Sequence, residues 1–127
     1  DAFVVDMKAQ ASGRLAADKA SLTSYAADAR KPTATEATIS GAADALLSYG
    51  QASDAEALYK LALAKPGVDA NRALTRLGIA QFDQGKYAEA QASFAKVTGP
   101  RMALARLWGG YAASKTRPAA AAAPAAQ

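Results

Sequence analysis

The sequence predicts an all-α fold of antiparallel helix hairpins, and three observations carry that expectation. Pro32, Pro66 and Pro100 divide the chain at equal intervals of 34 residues. Proline interrupts a helix interior because its ring fixes φ and removes a backbone donor. Between the last two prolines, small and apolar residues recur three and four apart: Leu74, Leu77, Gly78 and Phe82, then Tyr87, Ala90, Phe94 and Val97. That is the spacing of one helix face. Between the two stripes stand Gln84, Gly85 and Lys86, with a glycine where a helix commonly stops in a left-handed residue. Two antiparallel helices joined by a short loop follow from this pattern, and Asp69 is positioned to cap the first of them.

The same reading extends outwards from this hairpin. In residues 33–66, Thr33 with Glu36 reads as a capping box that opens a helix with Ile39, Ala42, Ala43, Leu46, Leu47 and Tyr49 facing inwards. Gly50-Gln51-Ala52 is the turn. Ser53 with Glu56 reads as a second capping box, followed by Ala57, Leu58, Leu61 and Ala64 as an apolar face. Residues 1–32 carry Val4, Met7, Ala11, Leu15, Leu22 and Tyr25 on one helical face. Gly13 is there either a turn between two helices or a glycine tolerated within one. After Pro100, Met102 to Lys115 forms one more helix with Leu104, Leu107, Trp108 and Tyr111 as its inner face. No second helix follows, so residues 101–116 read as a capping half-unit. Residues 117–127 are proline and alanine between their ends, a composition with little to bury.

Composition narrows the chemistry. With 127 residues the chain makes one domain with a modest core. It has neither cysteine nor histidine, which removes disulfides, Cys/His zinc sites and the commonest general base. Asp54 and Glu56 lie at a helix start, where carboxylates meet the positive end of the helix dipole. Asp83 and Glu89 flank a turn and read as solvated. There is no nucleophile elbow and no phosphate-cradling glycine loop. We therefore expect no enzyme, no metal and no cofactor. The net charge is +4, but the basic residues are scattered among acids as on a solvated helix surface, not clustered as nucleic-acid binding requires. A protein or peptide partner is expected, with acidic segments favoured. No run of about 18 apolar residues occurs. A start at Asp1 fits either the removal of a leader or a trimmed sequence; with the high alanine content we expect an exported bacterial protein, periplasmic or extracellular, with the cytoplasm as the alternative.

The residues of the clearest unit carry a family resemblance. Leu77-Gly78, Gly85-Lys86-Tyr87, Ala90 and Phe94 are similar to the large-small pair, the turn with its aromatic, the small contact residue and the following aromatic of a tetratricopeptide repeat, whose period is 34 residues. The preceding unit departs from that pattern, because Asp44-Ala45 stands where the large-small pair belongs. The resemblance implies a right-handed α-solenoid with a concave groove lined by the first helix of each hairpin. It implies a non-catalytic scaffold function. On that lining it would place Arg72 and Arg76 one turn apart, with Arg106 near Arg76, as a basic groove for an acidic partner segment. A solenoid also extends end to end, so self-assembly into an oligomer or filament is the alternative, with Phe3, Val4 and Val5 as candidate contacts.

Overall fold

The computed structural model describes the backbone of residues 2–117 and, within that span, every side chain except those of residues 2, 3, 5 and 11–16. The expected contacts Phe3 and Val5, and the alanine-proline segment after Arg117, lie outside the described residues. The described chain is all-α: α1 (Ala2–Ala29), α2 (Glu36–Ser48), α3 (Ala52–Leu63), α4 (Ala70–Asp83), α5 (Tyr87–Ala95) and α6 (Met102–Thr116), with a 3-10 turn at Gly99–Arg101 before the last. Each helix packs against the next in the chain. The links between α2 and α3 and between α4 and α5 span only residues 49–51 and 84–86, so each of these pairs folds back on itself. No helix among the described residues is long and apolar enough to cross a membrane.

The helix ends explain themselves locally. Asp69 accepts from the Arg72 backbone N–H at 3.1 Å, as its position suggested. At α2 the cap is Thr35, which accepts from Thr38 N–H, and not Thr33. Glu36 instead accepts a hydrogen bond from Ser40. Helix α3 starts at Ala52 without a side-chain cap, so the Ser53 capping box does not form; its Glu56 is drawn into the interior. Both hairpin turns use the same device. Gly50 and Gly85 adopt φ of 77° and 78°. Gln51 N–H reaches Leu46 C=O and Lys86 N–H reaches Gln81 C=O, both at 2.9 Å. Together with the glycine N–H bonds to Leu47 and Phe82, this is the Schellman closure that satisfies the last carbonyls of a helix. The two turns stand 35 residues apart.

Packing follows from an alanine-rich interior. One cluster joins Leu22, Ala26 and Ala29 of α1 with α2, α3 and the Leu77–Ala80 side of α4. A second gathers Ala90, Phe94, Val97, Ala105 and Ala112, with Leu74, Phe82, Tyr87 and Trp108 against them. Helix α4 contributes to both and joins the two halves. Between α4 and α5 the Phe94 ring lies directly on the backbone of Gly78: a Cβ added there would stand 2.5 Å from the ring.

Several inner faces differ from the sequence expectation. Residues 2–29 form one continuous helix, so Gly13 lies within a helix and not at a turn. Of its expected inward stripe, Val4, Met7 and Tyr25 are exposed. Helix α3 buries Ala55, Leu58, Tyr59 and Ala62, while Ala57, Leu61 and Ala64 face out. The rotation brings the large ring of Tyr59 inside, where it fills volume that alanines leave. Tyr49 is exposed, its hydroxyl donating to Asp18. In α6 the buried residues are Ala105 and Ala112, whereas Leu104, Leu107 and Tyr111 turn outwards and Trp108 is half-buried. The Cβ position of Gly109 is 3.6 Å from Phe94 Cβ, an ordinary van der Waals contact, and Trp108 stacks on the Phe94 ring at 6.1 Å.

Glycine substitutions in two helices are expected to act with opposite signs. Gly78→Ala drives a methyl group into the buried Phe94 ring, and overpacking of this kind destabilises by about 1–3 kcal/mol, more than alanine's helix preference returns. Gly41→Ala meets nothing within 4 Å and gains the full preference of ~1 kcal/mol. Urea denaturation of both variants beside the wild type reads the two signs directly.

Candidate functional site

The basic residues expected to line a groove are only partly brought together. Arg72 and Arg76, one turn apart on α4, both turn to Asp44 of α2. Arg72 Nη2 lies 2.5 Å from Asp44 Oδ2 and Arg76 Nη1 lies 3.5 Å from Oδ1. The Tyr59 hydroxyl of α3 donates to the same Oδ1 at 2.5 Å. One carboxylate therefore links three helices. It is the acid that stands where the repeat pattern would have a large apolar residue. Burial and the neighbouring carboxylate push the Tyr59 hydroxyl up from its ordinary range, and the hydrogen bond to Asp44 raises Arg72. Both effects keep the tyrosine neutral and the Arg72 guanidinium charged around neutrality. Arg106 is elsewhere: it lines a hollow with Gln91, Phe94 and Ala95 of α5 and Gly109, with no α4 residue among them.

A second polar cluster ties α3 to the following hairpin. The Glu56 side chain is 5% exposed. Lys60 Nζ stands 2.8 Å from its Oε2 and Lys86 Nζ 2.9 Å from its Oε1. Gln84 and Gln81 also donate to it, at 2.9 and 3.2 Å, and Ser93 of α5 donates to Gln81 at 2.6 Å. Burial by itself pushes the Glu56 carboxyl up, but the bonds from Lys60, Lys86, Gln84 and Gln81 outweigh it and hold the group down at about 2. Every buried side-chain nitrogen or oxygen among the described residues has a partner.

The third feature is apolar. Leu107, Trp108 and Tyr111 line an open hollow of about 360 Å³ on the outer side of α6. Phe82 anchors it from α4, stacked on Tyr111 at 5.0 Å and edge-on to Trp108 at 5.4 Å. Lys115 lies over the Tyr111 ring at 4.9 Å, a cation–π contact. Leu107 is 72% exposed. Asp44, Tyr59 and Glu56 were not among the expected site residues. The signal for Asp44 was present, since a charge at an apolar repeat position requires partners; Glu56 imitated a capping residue and gave none.

Two outcomes are expected from these clusters. Glu56 has a folded-state pKa of about 2 against an ordinary 4.5. Its stabilisation, on the order of 3 kcal/mol, is complete above about pH 4.5 and is lost as the pH falls towards 2. Glu56→Gln flattens that part of the stability-against-pH curve measured by urea denaturation. Asp44→Ala strands the Tyr59 hydroxyl and the Arg72 guanidinium, and we expect a loss of about 1–3 kcal/mol. A double-mutant cycle with Arg72→Ala is expected to return a coupling of at least ~0.5 kcal/mol, the lower end for residues in direct contact.

No protein-family model matches the chain, nor does any curated protein or any solved structure.

Proposed function

We propose that the chain is a non-catalytic protein-binding scaffold of the tetratricopeptide type, its hairpins stacked as a right-handed α-solenoid. The Gly78–Phe94 contact and the paired glycine turns at Gly50 and Gly85 support that architecture, because both are what the resemblance requires of a repeated hairpin. The partner is an acidic protein segment taken up beside Arg76. The observation that carries this reading is the sharing of Asp44. Both guanidinium groups pair with its carboxylate, and Arg72, which also feels the charge of Glu36, holds the shorter contact. Arg76 stays 40% exposed at 3.5 Å, so it can turn to an incoming carboxylate while Asp44 keeps Arg72 and Tyr59. Arginine suits such an exchange through its planar, two-pronged donor set. Because Arg106 lies beside α5, it serves a different stretch of any bound segment.

The test is titration of the full chain with two fluorescein-labelled helical peptides that share leucine positions and differ in carrying glutamate or lysine elsewhere. The glutamate peptide is expected to bind, and more weakly as salt is raised. Arg76→Glu is expected to lower its affinity about tenfold, the equivalent of ~1.4 kcal/mol, at unchanged helix content. Equal binding of both peptides, or an unchanged affinity in Arg76→Glu, overturns the reading.

A further inference from the structure

Among the described residues, the first and last helices of the stack each have an open face. Helix α1 has 28 residues and its neighbour α2 has 13. With a rise of about 1.5 Å per residue, α1 runs roughly 20 Å beyond what α2 can cover. Among its described side chains burial begins at Leu22, and the bond from Tyr49 at the end of α2 reaches Asp18. Val4 and Met7, on the projecting half, are 46% and 55% exposed. At the other end α6 packs on α5 with its inner side and has no following helix among the described residues. Leu104, Leu107 and Tyr111 form a stripe along its open face. Helix arrays normally make their end faces polar to remain soluble. Here six of the eight large apolar side chains that are exposed among the described residues belong to the two end helices.

The two open elements are alike in length and apolar character, and their tips differ in charge. Helix α6 has 15 residues, and the part of α1 before Asp18 has 16. Its charged residues are Asp6, Lys8 and Arg14, so only the tip of the chain, with Asp1 and Asp6, is acidic. Around α6 stand Arg101, Arg106, Lys115 and Arg117, and no acidic residue occurs anywhere after Glu89. An arm laid antiparallel to α6, as neighbours lie in the α2–α3 and α4–α5 pairs, brings Asp6 to the Lys115 and Arg117 end. The same direction sets the positive N-terminus of α1 beside the negative C-terminus of α6.

We infer that the partner of the α6 face is a second copy of this chain: the projecting half of its α1 lies along Leu104, Leu107, Trp108 and Tyr111 and supplies the helix that the half-unit lacks. This goes beyond the binding of an acidic segment at Arg76 and uses neither Arg72 nor Arg76. The contact is head to tail, so it propagates along a row of copies unless the rotation closes it.

Two variants at exposed positions separate this arrangement from every other. Met7→Glu spoils the arm and leaves α6 intact; Leu107→Glu spoils the α6 face and leaves the arm intact. Light scattering after size-exclusion chromatography is expected to show the wild-type chain associating as its concentration rises, with a shift in the emission of Trp108, the one tryptophan. Each variant alone is expected to be monomeric, with the wild-type circular dichroism. Mixed one to one, they are expected to form a dimer that grows no further, because one sound arm and one sound face remain. A wild-type chain that stays monomeric at every concentration overturns the inference. So does a Met7→Glu variant that still associates, which would mean that α6 faces pair with each other, and so does a mixture that stays monomeric.

Discussion

The Phe94 ring lying on the Gly78 backbone is the contact from which most of this structure follows. Alanine-rich helices have little side-chain volume, so their axes must come close and a few large rings must fill what remains. Glycine at position 78 permits the approach of α5 to α4, and Phe94 occupies the space beside it. The same ring then meets α6. That helix passes Phe94 at Gly109, buries Ala105 and Ala112, and stacks Trp108 on the ring. The glycine–phenylalanine contact therefore sets the approach of α5 to α4 and presents the ring on which α6 packs.

The earlier hairpin meets the same need with a different residue, and the difference has consequences for its polar groups. Tyr59 stands 35 residues before Phe94, in the register set by the two glycine turns, and is fully buried. Its ring fills volume as phenylalanine does, but its hydroxyl needs an acceptor once removed from water. Asp44 provides one. A half-buried carboxylate needs positive charge in turn, and Arg72 and Arg76 of the next helix supply it. The acid at Asp44, the tyrosine and the pair of arginines are thus three parts of one solution. It welds α2, α3 and α4 together, as Glu56 with Lys60, Lys86, Gln81 and Gln84 welds α3 to the next hairpin.

What could be read in the sequence, and what could not, divides along the same physical line. Hairpin boundaries, the Asp69 cap and the glycine turns depend on residues a few positions apart, and these were legible. Which side of a helix faces inwards depends on the neighbour it meets. Apolar spacing in α3 suggested Ala57, Leu61 and Ala64, but the interior took Tyr59 and its alanine neighbours because a large ring was needed there. In α6 the spacing placed Trp108 correctly against the core, but Leu104, Leu107 and Tyr111 beside it are exposed, because which edge of a stripe is covered depends on the neighbouring helix. The arginines of α4 were singled out as binding residues, yet their first partner is Asp44, from a helix some 30 residues earlier; only its longer contact and its exposure leave Arg76 with spare capacity.

The exposed apolar edge of α6 is not required by packing within the described chain. Solvated alanine, lysine or glutamate at these positions would serve helix formation at least as well. Leu107 is 72% exposed, and Tyr111 leans only on neighbouring rings. Leu104, Leu107 and Tyr111, exposed in helical register beside Trp108, are accounted for by a contact made outside the stack. The arm of α1, with Val4 and Met7 exposed, lies at the opposite end of the same stack. Two open faces of one chain, each lacking what the other provides, are more economically explained by one joint than by two unrelated partners.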